Sequence, residues 1–179
     1  MDGREAFSQS SFVDLFSMRS INKLQISIGF LTLFAGLLLY LLTRPPDIYF
    51  VSFIKGAENL HYWALPFPPG IGGALPSFLH VFAFSLLLGG LLACRKRGYL
   101  IICCAWLFTN LLFELGQRYP ISASELIPKW FEGMFILQNM RNYFLKGTFD
   151  FFDLLASSVG AVAAYWVLAR TTQEGRVRK

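Results

Sequence analysis

Apolar residues fall into four long windows, and these windows contain almost no charged side chains. They run over roughly 24–43, 75–94, 99–117 and 150–169. A helix needs about 20 predominantly apolar residues to cross the hydrocarbon core of a bilayer. The pattern therefore predicts an all-α, polytopic membrane protein with four transmembrane helices.

The connections between these windows differ greatly in length. The loop at 44–74 is rich in Pro and Gly, whereas the turn at 95–97 consists only of basic residues. The connection at 119–148 is long, amphipathic and aromatic, with candidate breaks at Gly133 and Gly147. A connection of this length usually has structure of its own. We expect one or two helices there that lie in the membrane interface.

Basic residues are unevenly distributed between the two sides of a four-span bundle. Ten of the 16 Lys and Arg residues lie in the N-terminal segment, the 95–97 turn and the C-terminal tail. Positive residues near span ends favour the cytoplasmic side. We therefore divide the chain into a cytoplasmic segment (1–23), a four-helix transmembrane domain (24–169) and a basic cytoplasmic tail (170–179).

The composition narrows the possible classes of protein. Apolar residues make up 55% of the chain and charged residues 15%, against roughly 25% charged in soluble domains. The net charge of +5 does not indicate nucleic-acid binding, because the basic residues flank apolar windows instead of forming one patch. The first apolar window lacks a following small-residue cleavage site, so we interpret it as a retained span.

The three cysteines predict neither a disulfide framework nor a metal motif. Cys94, Cys103 and Cys104 form no C-x-x-C pair, and a buried Cys behaves as a small apolar residue. In the 44–74 loop, Glu58 and His61 are three residues apart. We interpret them as a solvated pair, since such polar spacing is common in loops.

Polar side chains interrupt three of the apolar windows near the ends expected to face outward. The second window contains His80, and the fourth begins with Asp150 and Asp153. The third contains Asn110 and Glu114, followed by Gln117 and Arg118, spaced to share one helical face. Ionisable residues in membrane helices are costly and usually functional. We expect these residues to converge at one membrane depth.

The chemistry of such a cluster leaves several alternatives open. Carboxylates with a histidine can bind a divalent cation, act as acid and base, or hold a polar head group. The alternative is a structural cluster in which Asp150 caps its helix and Arg118 neutralises Glu114. There is no Ser-His-Asp, HExxH, P-loop or dinucleotide motif, and no cofactor is indicated.

Three segments in order resemble the VanZ-like membrane proteins. They are His80-Val81-Phe82, Glu114-x-x-Gln117 and Asp150-x-x-Asp153-x-x-x-Ser157-x-x-Gly160. That family has a His near the start of one span, E-x-x-Q at the end of the next, and a D-x-x-D-x-x-x-N-x-x-G-like start of the last. Ser157 stands where the family usually has Asn. The family includes a protein associated with low-level teicoplanin resistance.

The resemblance implies a multi-pass protein of the bacterial cytoplasmic membrane. The distribution of basic residues predicts that both termini are cytoplasmic, which places the polar site at the outer leaflet. Its candidate catalytic residues are His80, Glu114, Asp150 and Asp153, and its candidate ligand-binding residues are Asn110, Gln117 and Arg118. The implied role is binding or accessory work in the cell envelope, with membrane lipids as partners. The alternatives are a structural or accessory subunit of a larger membrane complex, with a membrane-protein partner, and a hydrolase acting on a lipid-linked substrate.

Overall fold

The structure is a computed structural model that describes residues 20–43, 71–134 and 140–172. All regular elements in these ranges are helical. The segments 1–19 and 173–179 and the loop pair Glu58 and His61 lie outside the described residues. The helices are α1 (Lys23–Thr43), α2 (Ile71–Leu92), α3 (Lys96–Arg118), α4 (Pro120–Leu126), a 3-10 turn (Lys129–Gly133), α5 (Met140–Lys146) and α6 (Phe151–Thr171).

Three helices are long and apolar enough to cross a membrane. They cover Ala74–Leu92, Lys96–Arg118 and Phe151–Thr171. The apolar part of α1, Lys23–Leu39, is shorter. The predictions of an all-helical fold and of membrane spans are thus confirmed for three helices, while the fourth span stays a prediction.

Helix ends agree with the sequence pattern except at the start of α2. That helix begins at Ile71, within the stretch predicted as the 44–74 loop, so Pro76 lies inside the helix. Proline is tolerated inside membrane helices because neighbouring groups re-satisfy the freed backbone. The predicted breaks are confirmed, since the 3-10 turn ends at Gly133 and α5 ends at Lys146, immediately before Gly147.

The α2–α3 turn depends on a residue in the left-handed region. Ala93 has φ 44° and follows the last residue of α2, and its N–H donates to the carbonyl of Gly89 at 2.9 Å. A residue in the left-handed backbone conformation directly after a helix ends that helix, because its N–H donates to one of the last helical carbonyls. Arg95 then stands immediately before α3, which returns antiparallel to α2.

Helix α6 packs against both α2 and α3, and glycines allow the close approach. A Cβ at Gly160 would lie 2.7 Å from the carbonyl oxygen of Phe78, and one at Gly89 would lie 2.6 Å from Leu168. Ala164 is fully buried. Small residues at these contacts let the helix backbones approach one another closely.

Polar side chains at the start of α1 connect the helices at the end of the bundle that contains the Ala93–Arg95 turn, which we call the turn end. The Asn22 side chain donates to the carbonyl of Thr171 at 2.9 Å. The buried Gln25 amide donates to the Thr171 hydroxyl at 2.9 Å and to the Leu168 carbonyl at 3.3 Å. The first helix therefore satisfies carbonyls at the C-terminus of α6, a role that the sequence did not suggest.

The opposite end, which we call the site end, contains the start of α2, the end of α3 and the start of α6. The short helices α4 and α5 pack together there, and Arg141 donates to the carbonyl of Ser124 at 3.3 Å. Phe144 of α5 is buried against Gly116 of α3. The 119–148 connection therefore covers the end of α3 next to the polar residues.

Candidate functional site

Asp150 begins α6 as its N-cap. Its carboxylate accepts a hydrogen bond from the N–H of Phe152 at 2.9 Å, and its backbone is extended, as an N-cap requires. This cap is the one expected under the structural alternative, in which Asp150 caps its helix. One carboxylate of the candidate cluster is therefore fixed by local helix geometry.

Asp153 lies in the first turn of α6 and connects this helix to α2. The hydroxyl of Ser77 donates a hydrogen bond to the Asp153 carboxylate at 3.0 Å. A negative charge in the first turn interacts favourably with the helix dipole. The bond also fixes the register between α2 and α6 at the site end.

Glu114 is the most buried carboxylate of the cluster, with 5% of its surface exposed. Its Oε2 accepts from the Asp150 N–H at the long distance of 3.5 Å. It also interacts electrostatically with the carboxylates of Asp153 and Asp150. Three acidic side chains from two helices thus share one small region, which is costly in a membrane.

A second layer of hydrogen bonds lies one turn deeper in the bundle. The Asn110 amide donates to the Ser157 hydroxyl at 2.5 Å, and that hydroxyl donates to the carbonyl of Asp153 at 2.7 Å. Ser157 is fully buried. This chain joins α3 to α6 directly beneath the carboxylates and holds the Asp153 turn in place.

Gln117 and Arg118 lie at the rim of the cluster. The Gln117 amide donates to the Tyr143 hydroxyl at 2.6 Å, so its side chain points to α5. The Arg118 guanidinium lies over the Phe149 ring, 5.8 Å from its centroid. Within the described residues, Arg118 forms no ion pair with Glu114. Arg118 therefore does not neutralise Glu114, which was one part of the structural alternative.

His80 lies at the site end but faces a different neighbour. It is one turn after Ser77, and its exposed ring packs on Phe84 at 4.6 Å and near Trp106 at 6.4 Å between centroids. The structure gives it ring contacts to Phe84 of its own helix and to Trp106 of α3, and no hydrogen bond to the carboxylates within the described part of the chain. His80 is thus in the same half of the bundle as Asp153, on an aromatic flank of the cluster.

Sequence reasoning missed three partners of the predicted residues: Ser77, Ser157 and Tyr143. A signal existed for Ser157, because it lies four residues after Asp153 and therefore on the same helical face. Ser77 and Tyr143 carried no comparable signal, since their roles depend on how separate helices pack. Within the described ranges, no group of three or more His, Cys, Asp or Glu has the geometry of a metal site.

Comparison of the chain with protein-family models, with curated proteins and with solved structures finds no match. Buried carboxylates with hydroxyl and amide neighbours can accept hydrogen bonds from a ligand and attract positive charge. They are also suited to accept a proton.

Proposed function

We propose that the chain is a VanZ-like integral membrane protein of the bacterial cytoplasmic membrane. It binds a polar, hydrogen-bond-donating group of a cell-envelope component at the outer leaflet. In this proposal α1 is the fourth span, both termini are cytoplasmic, and α4 and α5 lie in the outer interface. The binding residues are Glu114, Asp150 and Asp153.

The observation that carries this proposal is the burial of Glu114 beside Asp150 and Asp153 with no cation paired to it among the described residues. A buried carboxylate without a paired cation destabilises a membrane protein, so the burial of Glu114 favours a role in function. A ligand with ammonium or hydroxyl donors would compensate the charge of Glu114. The same three residues carry the motifs that resemble the VanZ-like family.

The proposal can be tested by identifying the lipids that remain bound to the purified protein. The full chain is extracted in mild detergent, and its bound lipids are compared by mass spectrometry with those of the source membrane. We expect one envelope component to be enriched, and Glu114→Gln and Asp153→Asn to reduce that enrichment at least tenfold. Glu125→Gln is the matched control, because Glu125 is an exposed carboxylate on α4.

Equal enrichment in the site variants and the control would overturn the proposal, as would lipid identical to the bulk membrane. Membrane level and thermal unfolding of each variant identify any that fail to fold. In cells, the parent chain should change sensitivity to envelope-directed antibiotics, and Asp153→Asn should abolish the change at an equal protein level.

A structural or accessory subunit of a larger complex is the second candidate function. Large apolar side chains outside the three spans favour it: Leu126 is 81% exposed and Trp130 is 65% exposed. Under this alternative the chain migrates in mild detergent with partner proteins, whereas the binding proposal expects a small species. The hydrolase alternative stays a prediction, because no observation on the described residues favours it over binding.

A further inference from the structure

The connection between α3 and α6 presents several large apolar side chains that are exposed. We call its described parts, Tyr119–Met134 and Met140–Lys146, the α4–α5 platform. Exposed fractions reach 69% at Ile121, 81% at Leu126 and 65% at Trp130. Exposed apolar patches of this kind mark contact with a membrane or a partner protein.

The platform is held at one face of the bundle by its own covalent connections. It begins directly after Arg118, the last residue of α3, and ends four residues before α6 starts at Phe151. Phe144 packs into the space that Gly116 leaves on α3, which fixes α5 to the spanning helix. The nearest apolar medium for the platform is therefore the lipid around these two helix ends.

The residue types of the platform fit the headgroup layer. Trp130 and Tyr143 combine a large ring with a polar atom, which is the residue class enriched at membrane–water interfaces. Between positions 118 and 146, basic residues outnumber acidic ones: Arg118, Lys129, Arg141 and Lys146 against Glu125 and Glu132. Basic side chains beside inserted apolar ones attract anionic lipids.

We propose that the α4–α5 platform binds anionic phospholipid of the surrounding membrane. The exposed side chains of Ile121, Leu126 and Trp130 insert at the headgroup boundary, and Lys129 and Lys146 contact lipid phosphates. This surface is separate from the carboxylate cluster, and the inference goes beyond the proposed function because it holds whichever ligand the cluster takes.

The test uses Trp130 as a local reporter of lipid identity. The full chain and its Trp130→Phe variant are reconstituted in phosphatidylcholine vesicles containing brominated phosphatidylglycerol or brominated phosphatidylcholine at equal mole fraction. The difference between the two proteins isolates quenching of Trp130 without removing the other tryptophans. We expect a relative binding constant for phosphatidylglycerol of roughly 5, the contribution of one basic side chain near a charged lipid surface.

Charge variants then identify the groups responsible. Lys129→Gln with Lys146→Gln should bring the relative constant to about 1, while Arg95→Gln with Arg97→Gln, at the turn end, should leave it unchanged. Equal quenching by both lipids in the parent chain would overturn the proposal. Absence of quenching by either lipid would also overturn it, and would assign the platform to a protein partner.

Discussion

The hydroxyl of Ser77 in α2 donates a hydrogen bond of 3.0 Å to the carboxylate of Asp153 in α6. These residues belong to separate spanning helices, 76 positions apart in the chain. The bond stabilises the α2–α6 pair and holds Asp153 beside the carboxylate of Glu114, with which it interacts. It is therefore both a structural contact and the support of the candidate binding group.

The energy of this contact can be measured by a double-mutant cycle. Ser77→Ala, Asp153→Ala and the double variant are unfolded by titration with SDS in mixed micelles. We expect a coupling energy of about 1 kcal/mol, in the range measured for side-chain hydrogen bonds between membrane helices. Additive effects of the two substitutions would show that the bond contributes nothing to stability.

Two neighbouring serines of α6 provide a matched pair for the deeper layer. Ser157 is buried and accepts from Asn110, whereas Ser158 is exposed and donates to the Leu154 carbonyl of its own helix. Ser157→Ala leaves the Asn110 amide without its acceptor, so we expect a loss of about 1 kcal/mol. Ser158→Ala should change stability by less than about 0.5 kcal/mol. The same SDS titration measures both, and equal losses would contradict the interhelical role.

The sequence predicted those features of the site that depend on the geometry of a single helix. Spacing placed Asn110 and Glu114 on one face of α3, and the position of Asp150 before an apolar run predicted its cap. These features need only the helical period and the chemistry of a helix end. They do not require any knowledge of which helices are neighbours.

The remaining contacts depend on how the helices are rotated and how deeply they sit against one another. Ser77 reaches Asp153 because Gly160 lets α6 approach the Phe78 carbonyl of α2. The pairing of Gln25 with Thr171 spans 146 positions and also depends on this packing. A polar residue at the edge of an apolar window gives no indication of its distant partner.

The glycine at the α2–α6 contact can be tested against a glycine at the α1–α2 contact. A Cβ at Gly160 would meet the backbone oxygen of Phe78 at 2.7 Å, whereas one at Gly36 would meet Leu79 at an ordinary 3.5 Å. Gly160→Ala should destabilise by about 1–3 kcal/mol, because backbone atoms must move apart. Gly36→Ala should be neutral or slightly stabilising, since it reduces the freedom of the unfolded chain. SDS titration again gives the comparison, and a neutral Gly160→Ala would refute close α2–α6 packing.

Cys94 allows a pH-dependent test of burial at the turn end. Burial raises the pKa of its thiol, so the reactive thiolate fraction at pH 7–8 is smaller than for an exposed cysteine. With Cys103 and Cys104 replaced by alanine, maleimide should label Cys94 slowly, and the rate should rise at higher pH than in the SDS-unfolded chain. Equal rate profiles in the folded and unfolded protein would show that the thiol is not buried.

If α1 crosses the membrane, the residues before and after it lie on opposite sides, and this can be tested by cysteine labelling. Single cysteines are introduced by Ser20→Cys, Lys55→Cys, Arg97→Cys and Gly133→Cys after alanine replaces the three native cysteines. Arg97 lies in the first turn of α3 and Gly133 lies beyond its last residue, so they serve as the calibrating pair. A Cβ at Gly133 meets no atom within 4 Å. An impermeant maleimide is applied to intact cells and then to permeabilised cells.

Four spans with cytoplasmic termini predict that the cysteines at 55 and 133 react in intact cells, and that those at 20 and 97 react only after permeabilisation. The physical reason is that the basic 95–97 turn and the basic termini favour the cytoplasmic side. If the cysteines at 20 and 55 react from the same side, α1 does not span. The opposite labelling of the calibrating pair would instead place the Glu114 and Asp153 carboxylates at the cytoplasmic face, which would exclude an outer-leaflet ligand.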